Sequence, residues 1–324
     1  MESNDILAVA GGIIAGAVFL NRQNTNLRVT RYVYSNPKIP KAFSGFKILQ
    51  VSDYHNYRVL EDKIISYAKA ENPDIIAITG DLFHCRRDDN TTDTLPGLSL
   101  AQRLAGICKV YFVSGNHEAR IKNFEKVAAN LDETGVTLMD NGKIQLERNG
   151  GFISLVGIRD PRFFGHEKIT CRDKTTFKNK LISLCENDGN FKLLLSHRPE
   201  FIHTYNSRGV DLALTGHTHG GQVTLFGAFA PMTGSRYGQR FLKGLNYNTA
   251  GQPVITTTGI GTSRRAIRLF APSEVMVITL HSWSHGNKLP DPHGGEKVAA
   301  PLSKPLVLKP APRPQETIEM PKKL

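Results

Sequence analysis

The segment FKILQVSDYH, residues 46–55, combines a mostly apolar run with two polar residues of the kind that bind metals. Phe46 to Val51 has the length and composition of a β-strand, and Asp53 and His55 follow it directly. In an extended backbone, residues i and i+2 point to the same side, so the carboxylate and the imidazole lie together. A single metal ion can therefore take both as ligands.

Four further predicted strands, 74–79, 110–114, 192–195 and 212–215, end in residues of the same kind. These residues are, in chain order, Asp81, then Asn116 and His117, then His197, then His217 and His219. Open α/β sheets place their sites at the carboxyl ends of strands. Any one of these residues alone could cap a helix, hold a turn or lie on the surface. Five suitable strand ends together indicate one metal centre. Oxygen and nitrogen ligands without cysteine suit Mn, Fe or Zn and argue against a structural thiolate zinc site.

Apolar strands alternate with longer helix-like segments through most of the chain, which is typical of α/β proteins. Helices are predicted at 60–70, 98–107, 124–133 and 177–185. Short strands at 136–139, 143–148 and 152–158 are separated by Asn-Gly and Asn-Gly-Gly, which are hairpin signals. Two more strands are predicted at 254–258 and 275–280.

The ordered motifs Asp-x-His, Gly-Asp, Gly-Asn-His-Glu, His and Gly-His-Thr-His resemble those of the calcineurin-like metallophosphoesterase family, over residues 45–280. The resemblance implies a sandwich of two mixed β-sheets flanked by helices, with two divalent ions (Mn, Fe or Zn) at the site. It assigns the first metal to Asp53, His55 and His219, the second to Asn116, His197 and His217, and the bridge between them to Asp81. His117 would lie outside the coordination sphere. The segments 220–222 and 259–263 are similar to a membrane-associated bacterial branch, some of whose members cleave UDP-diacylglucosamine.

This resemblance implies hydrolysis of a phosphate ester. Two divalent ions about 3.5–4 Å apart lower the pKa of a bridging water and hold the phosphoryl oxygens during in-line attack. Asp81 is expected to bridge because a carboxylate has two oxygens to share. His117 would protonate the leaving group, and Asp53 is one residue that could orient its ring. Arg198 is interpreted either as a phosphate contact or as a solvated surface arginine. His84 and His203 are interpreted as structural or surface histidines, with His84 close enough to border the substrate.

The expected substrate is a phosphodiester or a pyrophosphate-linked compound, including a lipid. The net charge of +12 favours anionic partners, so a nuclease or a cyclic-nucleotide phosphodiesterase is the alternative enzyme. The sequence lacks the aromatic-basic segments of single-strand binders, and no specific nucleic acid partner is expected. A protein-binding module on the same scaffold is the alternative from another class, against which the intact ligand set argues.

The amino-terminal residues 1–44 are predicted to form a membrane anchor and linker. Ile6 to Leu20 carries no charge, and a membrane anchor, a cleaved secretory signal and a buried core helix all fit it. A single-pass anchor is favoured because the start is acidic and lacks a small-residue cleavage site. The basic residues that follow predict a cytoplasmic catalytic domain, although the opposite orientation also fits related phosphoesterases. These residues are Arg22, Arg28, Arg31, Lys38 and Lys41.

The carboxyl-terminal residues 281–324 contain eight of the 17 prolines and no long apolar run, which predicts a disordered tail after a catalytic domain at 45–280. The four cysteines show no C-x-x-C pair and are interpreted as thiols, with one disulfide as the alternative.

Overall fold

Two β-sheets packed face to face form the centre of the molecule in a computed structural model. The structure describes residues 3–85, 92–166, 168–186, 189–206, 209–225, 228–229, 243–247, 251–262, 267–283 and 297–299.

The first sheet is mixed and contains seven strands within these described ranges. In spatial order they are β15 (Lys297–Ala299), β1 (Leu27–Asn36), β14 (Ser273–Ser282), β2 (Lys47–Val51), β3 (Ile75–Ile78), β4 (Lys109–Phe112) and β5 (Val136–Leu138). Only the β14–β2 pair is antiparallel among the described pairs of this sheet. The carboxyl ends of β2, β3 and β4 therefore meet at one edge.

The second sheet is also mixed and has six described strands. In spatial order they are β12 (Gly244–Tyr247), β13 (Pro253–Thr256), β9 (Leu212–Thr215), β8 (Phe191–Leu195), β7 (Gly151–Gly157) and β6 (Gly142–Arg148). Strands β13, β9, β8 and β7 run parallel, and the outer strands are antiparallel to them. A short ribbon of β10 (Thr224–Leu225) and β11 (Ala228–Phe229) follows β9.

Helices cover the outer face of both sheets. The described α-helices are α1 (Ser3–Thr25), α2 (Glu61–Glu71), α3 (Leu95–Ala105), α4 (Phe124–Glu133), α5 (Cys171–Cys185) and α6 (Ile202–Asn206). Helices α2, α3 and α4 pack on the first sheet, and α5 and α6 pack on the second. The period of two along the strands explains this layering: Ile48 points into the core between the sheets, whereas Leu49 points to the helices. The predicted fold class is confirmed.

Residues 27–36 were expected to belong to a linker, and this expectation is wrong. They form β1, which pairs in parallel with β14 from Leu27 opposite Ser273 to Asn36 opposite Ser282. Tyr32 is buried in the core between the two sheets. The sequence pattern does not predict this strand, because arginines and small polar residues interrupt the alternation of apolar residues.

The predicted carboxyl-terminal tail also contains described strand residues. Strand β14 continues to Ser282, and β15 pairs with β1 through Tyr32 opposite Lys297. The remaining residues assigned to a disordered tail, 284–296 and 300–324, lie outside the described residues. The four cysteines are all described and are not joined in disulfides.

Helix α1 leaves much of its apolar surface exposed. Ile13 and Ile14 are 68% and 65% exposed. Within the described part of the chain, no helix has the length and hydropathy of a membrane span. The helix is attached at its end, where the Asn24 side chain accepts from the N–H of Arg268 at 2.7 Å and donates to its carbonyl at 3.2 Å. The predicted single-pass anchor and its orientation remain predictions.

Candidate metal centre

The loops that follow β2, β3, β4, β8 and β9 converge where the carboxyl ends of the two sheets meet. The Gln50 side chain on β2 donates to the carbonyl of Thr215 on β9 at 2.9 Å, which joins the two sheets at this end. The N–H of His217 donates to the Asp53 carboxylate at 3.0 Å. The predicted ligands therefore lie in one buried cluster, as parallel strands place them.

Most of these side chains leave a backbone in the left-handed region, which only glycine adopts readily. The residues concerned, with their φ angles, are Asp53 (51°), His55 (48°), Asp81 (54°), His217 (71°) and His219 (51°). Such conformations cost about 1–3 kcal/mol each and concentrate at functional sites. Neighbouring Gly80, at φ 93°, permits the close approach, because a Cβ there would lie 2.5 Å from Nδ1 of His197.

The first group of candidate ligands is Asp53, His55 and His219, whose ligand atoms lie within 4.8 Å of one another. The two Nε2 atoms of His55 and His219 are 3.2 Å apart. Oδ1 of Asp53 is 3.4 Å from Nε2 of His219 and 3.9 Å from Nε2 of His55. Two ring nitrogens and one carboxylate oxygen thus face a common point.

The second group is Asp81, His197 and His217. Nε2 of His197 lies 3.3 Å from Oδ2 of Asp81 and 3.2 Å from Nδ1 of His217. Asn116 is the other predicted ligand. Its Oδ1 is buried and has no hydrogen-bond partner within the described residues. An unpaired buried carbonyl oxygen is costly, and a metal ion would satisfy it.

Asp81 lies between the two groups through a single oxygen. Its Oδ2 is 3.5 Å from Nε2 of His55 and 3.3 Å from Nε2 of His197. Its Oδ1 accepts the N–H of His117 at 2.8 Å. One oxygen of Asp81 thus faces both groups, while the other is held by the backbone. The role of Asp81 as a bridge between two metals remains a prediction.

Backbone carbonyls orient two of the imidazoles. Nδ1 of His197 donates to the carbonyl of Thr79 at 2.8 Å, and Nδ1 of His219 lies 3.2 Å from the carbonyl of Gly261. A ring that donates from Nδ1 keeps a lone pair on Nε2, which is the atom that faces each group. For His219 this tautomer suits metal binding. Burial tends to lower the pKa of His197, but Asp81 and Asp53 raise this pKa to about 10, so a metal ion would displace a proton from Nε2 of this ring.

Burial and charge set the protonation of the cluster. Burial lowers the pKa of His55, His217 and His219 well below the usual range, so these rings are neutral, as ligands must be. Burial raises the pKa of Asp53 to about 6. Burial opposes ionisation of Asp81, but His197 and His117 hold its pKa well below the usual range. These neutral nitrogens around a buried carboxylate form a donor set that fits divalent cations.

His117 lies beside the second group, with its Nε2 4.0 Å from Oδ2 of Asp81. The backbone N–H of Cys85 donates to its Nδ1 at 3.1 Å, so Cys85 rather than Asp53 orients the ring. Asp53 is engaged instead by the hydroxyl of Ser52 at 2.7 Å. Burial, opposed by Asp81 and reinforced by Arg120, lowers the pKa of His117 to about 4.

Glu118 and Arg268 support the site and were given no role from sequence. The buried Glu118 carboxylate accepts the backbone N–H groups of Gly115 at 2.7 Å and Asp81 at 2.8 Å. Arg268 is 1% exposed and donates to the carbonyl of Gly261, and its Nη2 lies 3.1 Å from Nδ1 of His219. Glu118 belongs to the Gly-Asn-His-Glu motif, so its role could have been inferred from the sequence. Arg268 lies outside every motif, and its role could not.

Arg198 is not the solvated surface residue that one interpretation expected. Its side chain is 11% exposed and forms ion pairs with Asp160 at 2.6 Å and Glu200 at 3.0 Å. Its Nη1 is 3.1 Å from Nε2 of His217. The alternative, contact with a substrate phosphate, remains a prediction.

The two-sheet fold with two Asp/His groups at its strand ends is that of a metal-dependent phosphoesterase. The family model for calcineurin-like phosphoesterases matches residues 46–221, more than half of the chain, and the chain belongs to this family. Members of this family bind divalent metals, and the fit of the two groups agrees with that property.

Several relatives and solved structures resemble this chain. Uncharacterized metallophosphoesterase YkuE of Bacillus subtilis (strain 168) is 28% identical over 260 residues, covering 79% of this chain and 86% of the relative. Uncharacterized metallophosphoesterase Cj0846 of Campylobacter jejuni is 26% identical over 276 residues, covering 83% and 68%. The crystal structure of TT1561 of Thermus thermophilus has a TM-score of 0.47 at 14% identity, covering 67% of this chain and 91% of that one.

Proposed function

We propose that the chain hydrolyses a phosphodiester or a pyrophosphate-linked substrate with two divalent metal ions. Asp53, His55 and His219 would hold one ion, and Asn116, His197 and His217 the other. The observation that carries the proposal is the position of Asp81. Its Oδ2 lies 3.5 Å from Nε2 of His55, in the first group, and 3.3 Å from Nε2 of His197, in the second. A shared oxygen of this kind suits a two-metal centre.

The chemistry divides between the ions and the protein. When bound, two divalent ions supply Lewis-acid activation of water and neutralise phosphoryl charge. The role proposed for His117 is to protonate the leaving group from Nε2. Its Nδ1 accepts the N–H of Cys85, so Nε2 is the ring nitrogen left for proton transfer. The neutral ring would first take up a proton there and then pass it to the leaving group, which returns the ring to its neutral form. Positioned proton transfer contributes about 10²–10⁴-fold to such reactions.

The proposed substrate includes a lipid, and the protein is proposed to be held at the cell membrane by a single-pass anchor within residues 1–44, with the catalytic domain on the cytoplasmic side. The exposed apolar side chains of α1 and the net charge of +12 support contact with an anionic lipid surface. The basic residues after α1 support the cytoplasmic side. Fractionation of cells that express the intact chain tests this proposal. Recovery of the protein in the soluble fraction would contradict membrane contact. Digestion of the catalytic domain by protease added to spheroplasts would show that the domain lies outside the cytoplasmic membrane.

A substrate panel tests the reaction. The metal-free protein should be assayed with Mn, Fe and Zn on p-nitrophenyl monoester and diester, cyclic nucleotides, single-stranded DNA and a UDP-linked lipid. Metal-dependent turnover of the diester or the UDP-linked lipid is the expected result. Preference for DNA or cyclic nucleotides would favour the nuclease or cyclic-nucleotide alternative, which the basic charge keeps open. No turnover with any metal would favour a binding module.

A further inference from the structure

A third group of histidines meets beside the two candidate metal groups. His55, His84 and His117, here called the histidine trio, each offer a ring nitrogen within 4.8 Å of the others. Their ring centroids are 4.4 Å apart for His55–His117, 5.3 Å for His84–His117 and 5.5 Å for His55–His84. His84 belongs to none of the five ligand motifs, so the trio is distinct from the two catalytic groups, although His55 is a ligand of the first group and His117 is the proposed proton donor.

We infer that the histidine trio is an auxiliary cation position, centred on His84 and His117, that takes zinc in preference to manganese. The inference rests on the proposed function only where it concerns inhibition, because His117 is the proposed proton donor.

The donor chemistry of the trio differs from that of the catalytic groups. Each catalytic group includes a carboxylate, from Asp53 or Asp81, whereas the trio offers nitrogen alone. The nearest carboxylate contact is long, with Oδ2 of Asp81 4.0 Å from Nε2 of His117. Imidazole nitrogen suits Zn²⁺, Cu²⁺ and Ni²⁺, whereas Mn²⁺ and Mg²⁺ favour carboxylate and water oxygen. The trio should therefore discriminate among metals that the catalytic groups accept alike.

The position of each ring permits an ion to enter and bind. His55 and His117 are buried, but His84 is half-buried and opens the trio toward solvent. Nδ1 of His117 is taken by the N–H of Cys85, which leaves Nε2 as its ligand atom. His55 uses Nε2 toward the first group, and its Nδ1 is buried with no hydrogen-bond partner within the described residues. His84 and His117 are thus the principal ligands, and His55 is shared.

Nearby positive charge limits the affinity of this position. Nη1 of Arg120 lies 3.2 Å from Nε2 of His117, and two catalytic ions would lie close by. Like charges at short range oppose binding, so zinc should bind here more weakly than at the catalytic groups. An ion on Nε2 of His117 also occupies the atom that would donate the proton. Excess zinc should therefore inhibit hydrolysis, and excess manganese should not.

Zinc binding to the full-length, metal-free protein tests the inference without reference to activity. The variant is His84→Gln, and the matched control is His203→Gln, which changes an exposed histidine on α6. In calorimetric titrations, wild type and control should show a weak zinc phase after the tight ones, and His84→Gln should lose it or weaken it by about tenfold or more. Manganese titrations should be alike in all three. A weak zinc phase that is unchanged in His84→Gln overturns the inference.

Zinc inhibition provides the second measurement, with each variant scored against its own activity in manganese. The zinc concentration for half inhibition should rise about tenfold or more in His84→Gln and stay unchanged in His203→Gln. Equal inhibition of all three proteins would refute the inhibitory role. His84→Asn is the second variant if glutamine disturbs the fold, which circular dichroism reports. If the wild type hydrolyses no substrate in manganese, the proposed function fails. The zinc titration still tests whether the histidine trio binds zinc, because it does not depend on activity.

Discussion

Replacing Asp81 by asparagine tests the two-metal centre most directly. Asparagine keeps an oxygen for the N–H of His117, which Oδ1 accepts at 2.8 Å, so the local backbone contact can persist. It removes the anionic oxygen that lies 3.5 Å from His55 and 3.3 Å from His197. Both ions should lose affinity together, because the same atom faces both groups.

The expected size of the effect follows from ligand loss. Changes in residues that merely orient metal ligands cost about 10–100-fold in affinity or activity, and the loss of a shared ligand should cost at least as much for each ion. At a metal concentration of 100 Kd, one ion stabilises the fold by about 2.7 kcal/mol. A hundredfold weaker site at the same concentration leaves about 0.4 kcal/mol. The variant should therefore lose most of its metal-dependent thermal stabilisation.

The assay combines metal content after dialysis, melting temperature with and without Mn²⁺, and hydrolysis of a p-nitrophenyl diester. Asp211→Asn is the matched control, because Asp211 is a buried carboxylate that accepts a backbone N–H from Lys192 at 2.9 Å, outside both metal groups. The control should retain metal and activity. A folded Asp81→Asn protein that keeps two ions per chain and more than about a tenth of wild-type activity would refute the shared-ligand assignment.

Three further predictions concern proton transfer, a buried cation and a helix terminus. His117→Ala should keep its metal content and lose about 10²–10⁴-fold in turnover of alkyl esters, with a smaller loss for p-nitrophenyl esters; equal losses would exclude the general-acid role. Arg268→Met should lower the free energy of unfolding in urea by about 1–3 kcal/mol or more, because the carbonyls of Thr258, Gly261 and Ala271 lose a donor. The control is Arg148→Met, which changes an arginine at the surface. Equal unfolding free energies for the two variants would contradict this prediction. Burial tends to raise the pKa of Asp173, but hydrogen bonds from Thr170 outweigh burial and lower this pKa. The ionised Asp173 carboxylate therefore stabilises the fold at neutral pH, and this stabilisation is lost as the pH falls through the folded-state pKa. Asp173→Asn should therefore destabilise more at pH 7 than in acid, and a pH-independent difference in urea unfolding would contradict this.

The ligand-bearing strands could be predicted because they are buried on both faces. Strands β3, β8 and β9 are short and mostly apolar, with Lys192 in β8 as an exception, and a residue with metal-binding chemistry follows each strand within three positions. Since parallel strands of one sheet end at the same edge, the residues after β2, β3 and β4 could be placed together, and so could those after β8 and β9. The division of these ligands between two metal ions came from the family resemblance. The burial and mutual distances of the ligands follow from that topology.

Other features depend on tertiary context that local sequence does not carry. Helix α5 begins at Cys171, six residues before the predicted start, because its polar first turn is fixed by the Thr170–Asp173 capping box rather than by apolar periodicity. The role of Arg268 depends on carbonyls that only the folded loop gathers. The orientation of Asp81, with one oxygen toward both candidate groups, depends on the N–H of His117, which a sequence motif places nearby but does not orient.

The attachment of α1 connects the two parts of the proposed function. Asn24, near the end of α1, binds both backbone polar groups of Arg268, and the side chain of Arg268 reaches the carbonyl of Gly261 that His219 also approaches. Close to these contacts, the exposed ring of Phe19 lies 5.7 Å from that of Phe270. The end of α1 and the first metal group are therefore connected through Arg268 and Gly261. If a membrane holds α1 as proposed, it also constrains the segment around Arg268 through the contacts of Asn24. The membrane proposal and the substrate proposal are therefore linked, because moving α1 would disturb the contacts that orient His219.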